Sequence, residues 1–297
     1  MPNEQTPAVS WKGVLWRTFQ GINDKNLFLI AGGVTYYVLL ALFPALLALV
    51  SLYGLLFNPL QVETQVNAMA GVLPDSAREL IGTELHQIVS ASGGALGLGT
   101  VLGLVFALWT ASRGMSGTMS ALDIAYGEPE TRSFLRFNLV ALAMTLALLA
   151  GVLLAIVLVA GIPAAVASLG TSAGGIFRWV APIVEWPLLI VVLMTLLALL
   201  YRFAPDRHPP KWHWLTPGAI AGALLWILGS LGLRAYVANF ANYNAIYGSL
   251  GAVVVLLTWL YLSAFAVLLG AQINAEVERA GGGGTGNGSR SSPSRGS

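Results

Sequence analysis

Three stretches of this chain carry no charged side chain: those between Lys25 and Glu63, between Arg136 and Arg178, and between Arg234 and Glu276. Each is longer than the roughly 20 apolar residues that cross a bilayer. A soluble domain would interrupt such runs, because about a quarter of its residues are charged. Here 9% are charged and 56% hydrophobic. In lipid every backbone polar group must be satisfied internally, and long uniform apolar runs do this as helices. The expected fold is therefore an all-α polytopic integral membrane protein.

Six spans can be drawn, at about residues 30–57, 95–111, 138–161, 182–201, 217–237 and 249–273. The first is long enough to tilt, and Pro44 is a natural kink point within it. The chain then divides into an N-terminal segment (1–29), a six-helix transmembrane domain (30–276) and a tail (277–297). Twelve Lys and Arg fall in the N-terminal segment, the loops after spans two and four, and the tail; Arg78, Arg178 and Arg234 belong to the other side. That bias places both termini in the cytoplasm.

The first hydrophobic run is too long for a signal peptide and is followed by no small-residue cleavage site. Before it, Trp11, Val14, Leu15, Thr18, Phe19 and Ile22 recur at helical spacing beside Lys12, Arg17 and Lys25. This predicts an amphipathic helix lying at the inner interface, with anionic lipids as its partners. A second amphipathic helix is expected after Pro74, capped by Asp75 or Ser76 and striped with Leu80, Ile81, Leu85 and Ile88. The glycine- and serine-rich tail from Gly281 is expected to be disordered.

Small residues mark where helices approach closely. Span two carries Ala95, Gly99, Gly103, Ala107 and Ala111, and span five carries Gly218 and Gly222. Packing within one bundle is the expected use of these faces; a homo-oligomer interface is the alternative. Enzyme signatures are missing from the sequence. Without cysteine there are no thiolate sites, and the histidines (His86, His208, His213) lack a metal-ligand spacing. No Gly-x-Ser-x-Gly elbow occurs. The reading therefore assigns no catalytic residue, no metal and no cofactor. The basic residues already serve topology and lipid headgroups, so no nucleic-acid partner is assigned.

Polar groups at membrane depth are the remaining functional candidates. Glu185 and Arg234 lie near the outer ends of spans four and five, at depths that would let them face each other. Asn239, Asn242, Tyr243, Asn244 and Tyr247 follow just outside the apolar runs. They read either as a hydrogen-bonded hairpin or as the outer mouth of a polar path. At the inner end of span six, Gln272, Asn274 and Glu276 sit near the cytoplasmic surface, with Gln272 and Glu276 on one helical face. In the loop after span two, Arg113, Asp123 and Arg132 suggest a helix hairpin beneath the bundle, with Asp123 bonded to an arginine.

Four segments carry a family resemblance: "GGVTYYVLLALFPALLAL" (32–49), "ASRGMSGTMSALDIAYGEPETRSF" (111–134), "LYRFAPDRHPPKWHWLTPGA" (200–219) and "NFANYNAIYGSLGAVVVLLTWLYLSAFAVLLGAQINAE" (239–276). In this order they resemble the YihY/BrkB family of bacterial inner-membrane proteins, over nearly everything from Trp11 to Arg279. The resemblance implies a multi-pass protein of the bacterial inner membrane. Gln272 departs from the glutamate more usual there, which argues against a proton carrier at this position. The family was once labelled ribonuclease BN, a name that no motif in this sequence supports. Its members are otherwise called virulence or serum-resistance factors and are suspected of transport. The expected function is a transporter or permease for a small anionic or lipid-like solute. The alternative is an envelope scaffold or lipid-organising protein without transport.

Overall fold

The computed structural model describes residues 10–56, 98–168, 171–207, 215–239 and 249–282. Within them the chain forms seven helices and no strand: α1 (Trp11–Asp24), α2 (Leu27–Leu56), α3 (Leu98–Tyr126), α4 (Phe134–Ser168), α5 (Thr171–Phe203), α6 (Pro217–Asn239) and α7 (Ser249–Gly282). Five of them (α2, α4, α5, α6 and α7) are long and apolar enough to cross a membrane. The segment after Pro74 and the tail beyond Gly282 lie outside the described residues.

The α1 helix buries Val14, Thr18 and Gly21, one face at helical spacing. It ends where the Lys25 N–H donates to Gly21 O at 3.1 Å, and Asn26 takes a left-handed φ of +52°. Asn tolerates that conformation better than most residues, so the chain turns there and starts α2 at once. Through α2, Leu27, Ala31, Val34, Ala41 and Ala48 are buried along one stripe, and the helix continues through Pro44.

The long helices pack antiparallel with their sequence neighbours, and α7 also packs on α2 and α3. Small residues set the closest crossings. A side chain at Gly114 of α3 would lie 2.7 Å from Ala41 Cβ of α2, and one at Gly117 would lie 2.9 Å from the Tyr37 ring. On α6, a Cβ at Gly218 would overlap Gly270 O of α7, and one at Gly222 would come 3.1 Å from Ala266 O. The glycine pair of span five is thus spent on contacts within the bundle. Gly103 of the α3 stripe, in contrast, has nothing within 4 Å of where a Cβ would stand.

One expectation needs correction. The segment after residue 111 is not a loop with its own helix hairpin; α3 runs unbroken to Tyr126. No proline interrupts it, and Ser112, Ser116, Thr118 and Ser120 donate back to carbonyls of their own helix. At 29 residues it is about 43 Å long, beyond the ~30 Å of hydrocarbon. Its polar second half can therefore project from the membrane while remaining helical. Gly127, with φ +78°, ends it in a Schellman motif: the Glu128 N–H donates to Asp123 O and the Gly127 N–H to Ile124 O.

Most of the core lies in the half of the bundle nearest the start of α1 and the end of α7. Leu27, Met119, Leu122, Tyr126, Leu197, Tyr201, Ala219 and Leu268 form one cluster there. A small second cluster of Ala48, Ala107 and Leu149 lies deeper along the helices. Large apolar side chains such as Leu29, Phe43, Phe106, Ile183, Trp186 and Leu228 point outward. A continuous surface of this kind suits lipid rather than water.

Candidate functional site

The end of the bundle that carries both described chain ends also holds its polar chemistry, with the last turns of α7 as the hub. Gln272 and Glu276 are four residues apart, so they project together. Both are buried, and the Gln272 Nε2 donates to Glu276 Oε1 at 3.1 Å. Glu276 also accepts from Arg17 of α1 at 3.0 Å and from Arg279 at 2.6 Å. Asn274 points elsewhere. Its Oδ1 accepts the Gly218 N–H at 2.8 Å, which satisfies an orphan donor in the first turn of α6, and its Nδ2 donates to Thr216 Oγ1 at 3.0 Å. Glu278 pairs with Arg207, whose guanidinium lies 4.0 Å from the centre of the Tyr126 ring. Arg279 reaches Tyr126 O at 2.8 Å. A single helix end thus ties α1, α3, α6 and the segment after α5 together.

Between α1 and α7 this arrangement leaves an open cavity of about 470 Å³. Arg17, Gln20, Gly21, Asp24 and Lys25 line it from one side, and Gln272, Glu276, Arg279 and Ala280 from the other. Gly21 lets α1 sit close against the Gln272 amide, which would have to shift aside for a Cβ in its place. The charges are three cations against two carboxylates. Glu276 is already shared by Arg17 and Arg279. Lys25 is held differently: its Nζ donates to Ala125 O at 2.5 Å and to Gln272 Oε1 at 2.7 Å, both neutral acceptors. Among the described residues no carboxylate lies within 4.0 Å of it. Burial first, and then the charge of Arg279, pull the Lys25 ammonium below the ordinary lysine range, with Glu276 pulling the other way. A half-buried ammonium with only neutral partners is an electrostatic invitation to an anion.

A second polar knot lies beneath α3. Arg132 donates to Glu130 from Nε and Nη2, at 2.8 and 2.7 Å, and to Ala204 O at 2.8 Å. Asp123 accepts the Asp206 N–H at 2.8 Å, and its Oδ2 lies 3.9 Å from Arg132 without a hydrogen-bond partner. The expected bond from Asp123 to an arginine is thus not made: Arg132 stands at ion-pair distance only, and its hydrogen bonds go to Glu130 and Ala204 O. Asp206 itself accepts from the Thr131 N–H and hydroxyl. Burial pushes the Asp123 carboxyl up to about 6. Arg113, nearly three turns earlier on α3, stacks on the Trp109 ring at 4.3 Å.

The candidates at the opposite end stand apart from both clusters. Glu185 is half-buried on α5 and Arg234 is exposed on α6. The expected facing pair does not form: no ion pair joins these two residues. The contact between α5 and α6 is slight, while α6 lies mainly along α7. Asn239 ends α6; Asn242, Tyr243, Asn244 and Tyr247 lie outside the described residues.

Sequence reasoning found Gln272, Asn274 and Glu276, but read Arg17 and Lys25 as topology charges of an interfacial helix facing anionic lipids and Arg279 as a topology charge. Arg17, Gly21 and Lys25 are spaced by four, as are Gln272 and Glu276. Two such stripes at the two ends of the chain are what meet across the cavity.

Comparison with known proteins agrees with this architecture. The family profile described as virulence factor BrkB matches residues 18–294. The ribonuclease-like protein YfkH of Bacillus subtilis (strain 168) is 34% identical over 248 residues, covering 83% of this chain and 88% of YfkH. The UPF0761 membrane protein Smlt0865 of Stenotrophomonas maltophilia (strain K279a) is 30% identical over 92% of this chain, which spans only 62% of that longer relative. The UPF0761 membrane protein IL2447 of Idiomarina loihiensis is 27% identical, with 91% and 95% of the two chains covered. No solved structure matches. A helical chain with five helices long and apolar enough to cross a membrane among its described residues, matched over most of its length by this profile and by proteins named as membrane proteins, belongs to the virulence factor BrkB family.

Proposed function

We propose that this protein is a transporter or permease of the bacterial inner membrane, not a nuclease, and that it moves a small anionic or lipid-like solute. Six spans, with α3 as the sixth, would carry it, and the end bearing the chain termini would face the cytoplasm. The carrying observation is the cavity between α1 and α7, in which Lys25 is held by two neutral oxygens beside Arg17 and Arg279. A cationic surplus at the end of a helical bundle supplies an entry site for an anion without a dedicated catalytic group. The far mouth would be formed by Glu185, Arg234 and Asn239 together with Asn242, Tyr243, Asn244 and Tyr247.

The scaffold reading is favoured by a different observation. Arg132 and Asp206 find their partners within the protein, as a knot that only fastens helices would. Reconstitution separates the two. Proteoliposomes would be loaded with inorganic phosphate, and a parallel set would carry a fluorescent anionic lipid whose inner-leaflet pool is probed with dithionite. Transport predicts that one of these crosses faster than in protein-free vesicles. If neither does, the scaffold reading takes its place.

A further inference from the structure

The transport reading leaves two sources of anion open: one dissolved in water, and one carried as a lipid headgroup. The disposition of residues around α1 decides between them. At about 100° per residue, Arg17, Gln20, Gly21 and Asp24 share one sector of the helix, centred about 165° from that of Trp11, Leu15, Trp16 and Phe19. The first sector lines the cavity. The second is more than half exposed at every position, and its Trp16 and Phe19 rings stack at 6.5 Å. Val14, Thr18 and Gly21 fix the rotation by burying a third face against the bundle. With the aromatic face on the lipid, as an interfacial helix demands, the cavity mouth opens away from lipid.

The cavity's polar groups add a second constraint. Glu276 is saturated by Gln272, Arg17 and Arg279, but Asp24 lines the cavity without an ion-pair partner among the described residues. Lys25 has no carboxylate partner either. The unmet groups are therefore one cation and one exposed acceptor. An anion without a hydroxyl, such as sulfate, answers only the first; an anion that also carries hydroxyl groups answers both.

We propose that the cavity between α1 and α7 binds a small water-borne anion, a phosphate ester or carboxylate bearing hydroxyls, which enters from the aqueous side with its charge on Lys25 and its hydroxyls on Asp24. This rests on the transport reading for its purpose but not for its chemistry. Glycerol 3-phosphate is the suitable probe, because phosphatidylglycerol presents the same chemistry anchored in lipid. Binding would be measured by thermal shift and calorimetry on the full chain, in nanodiscs of zwitterionic lipid with and without phosphatidylglycerol.

The expected result is saturable binding of glycerol 3-phosphate, weakened at least tenfold by Lys25→Gln and unchanged by Lys12→Gln, which removes the same charge from α1 outside the cavity. Trp16→Ser should leave this binding unaltered. If Lys25→Gln melts far below the wild type, Asp24→Asn provides a second test on an exposed side chain and should weaken glycerol 3-phosphate more than sulfate, which has no hydroxyl to donate. Equal weakening by Lys12→Gln and Lys25→Gln would overturn the site in favour of diffuse surface charge. Binding of phosphatidylglycerol alone, lost in Trp16→Ser, would overturn the aqueous assignment while leaving the transport reading intact. No binding of either probe would overturn both. Binding without flux in proteoliposomes would keep the site and remove the transporter.

Discussion

At the scale of single residues, glycine and aspartate carry the sharpest consequences. A Cβ at Gly218 meets the backbone oxygen of Gly270, which cannot move aside as a flexible side chain would. Gly218→Val is therefore expected to cost at least about 1–3 kcal/mol and to lower the melting temperature in detergent. Gly232, with nothing within 4 Å of the same construction, is the control; Gly232→Ala should not destabilise and should add up to about 1 kcal/mol through helix propensity. Asp123 makes stability depend on pH. Its carboxyl, raised to about 6 by burial, keeps its proton in the folded chain where an unfolded aspartate has already lost it. Stability from this group thus falls as pH rises from the ordinary aspartate range through about 6, then levels off. Melting curves from pH 4.5 to 7.5 should show the wild type gaining on Asp123→Asn toward the acid end. A constant difference across that range would contradict the assignment.

At the scale of elements, α1 and α3 show what could and could not be read from the sequence. The helix of α1 was legible because its apolar positions recur at one spacing, while its stop at Lys25–Asn26 was not. Its docking was not legible: Gly21 looks like a weak point in a helix until Gln272, far along the chain, is found against it. Gly21→Leu should lift α1 from α7, raising hydrogen exchange of the α1 amides while leaving those of α6 unchanged. The length of α3 was misjudged for a different reason. Its charges and hydroxyls read as loop, but serine and threonine satisfied by their own helix do not break it. Ser116→Pro tests this, since proline inside a helix costs about 3 kcal/mol or more and in a loop little. The Glu185–Arg234 pairing was inferred from equal depth along two antiparallel helices. Depth fixes height but not rotation, and α6 lies mainly along α7 instead.

At the scale of the whole molecule, the chain concentrates its core and its ion pairs at the end where α1 meets α7, and faces lipid-like surface elsewhere. The charge-free runs made the membrane class legible, since nothing but lipid tolerates them at that length. The cavity was not legible, because it is assembled from the two ends of the chain and local spacing cannot show which stripes meet. The absence of native cysteine allows a direct check of polarity. Ser10→Cys and Gly281→Cys should react together with an impermeant thiol reagent from one side of a sealed vesicle, and Ala238→Cys from the other.

The most direct test of the account is the efflux of trapped glycerol 3-phosphate from proteoliposomes holding wild type, Lys25→Gln or Lys12→Gln. The account predicts efflux well above that of protein-free vesicles for wild type and Lys12→Gln, and a rate about tenfold lower for Lys25→Gln. Efflux no faster than from protein-free vesicles, or unchanged by Lys25→Gln, would contradict it.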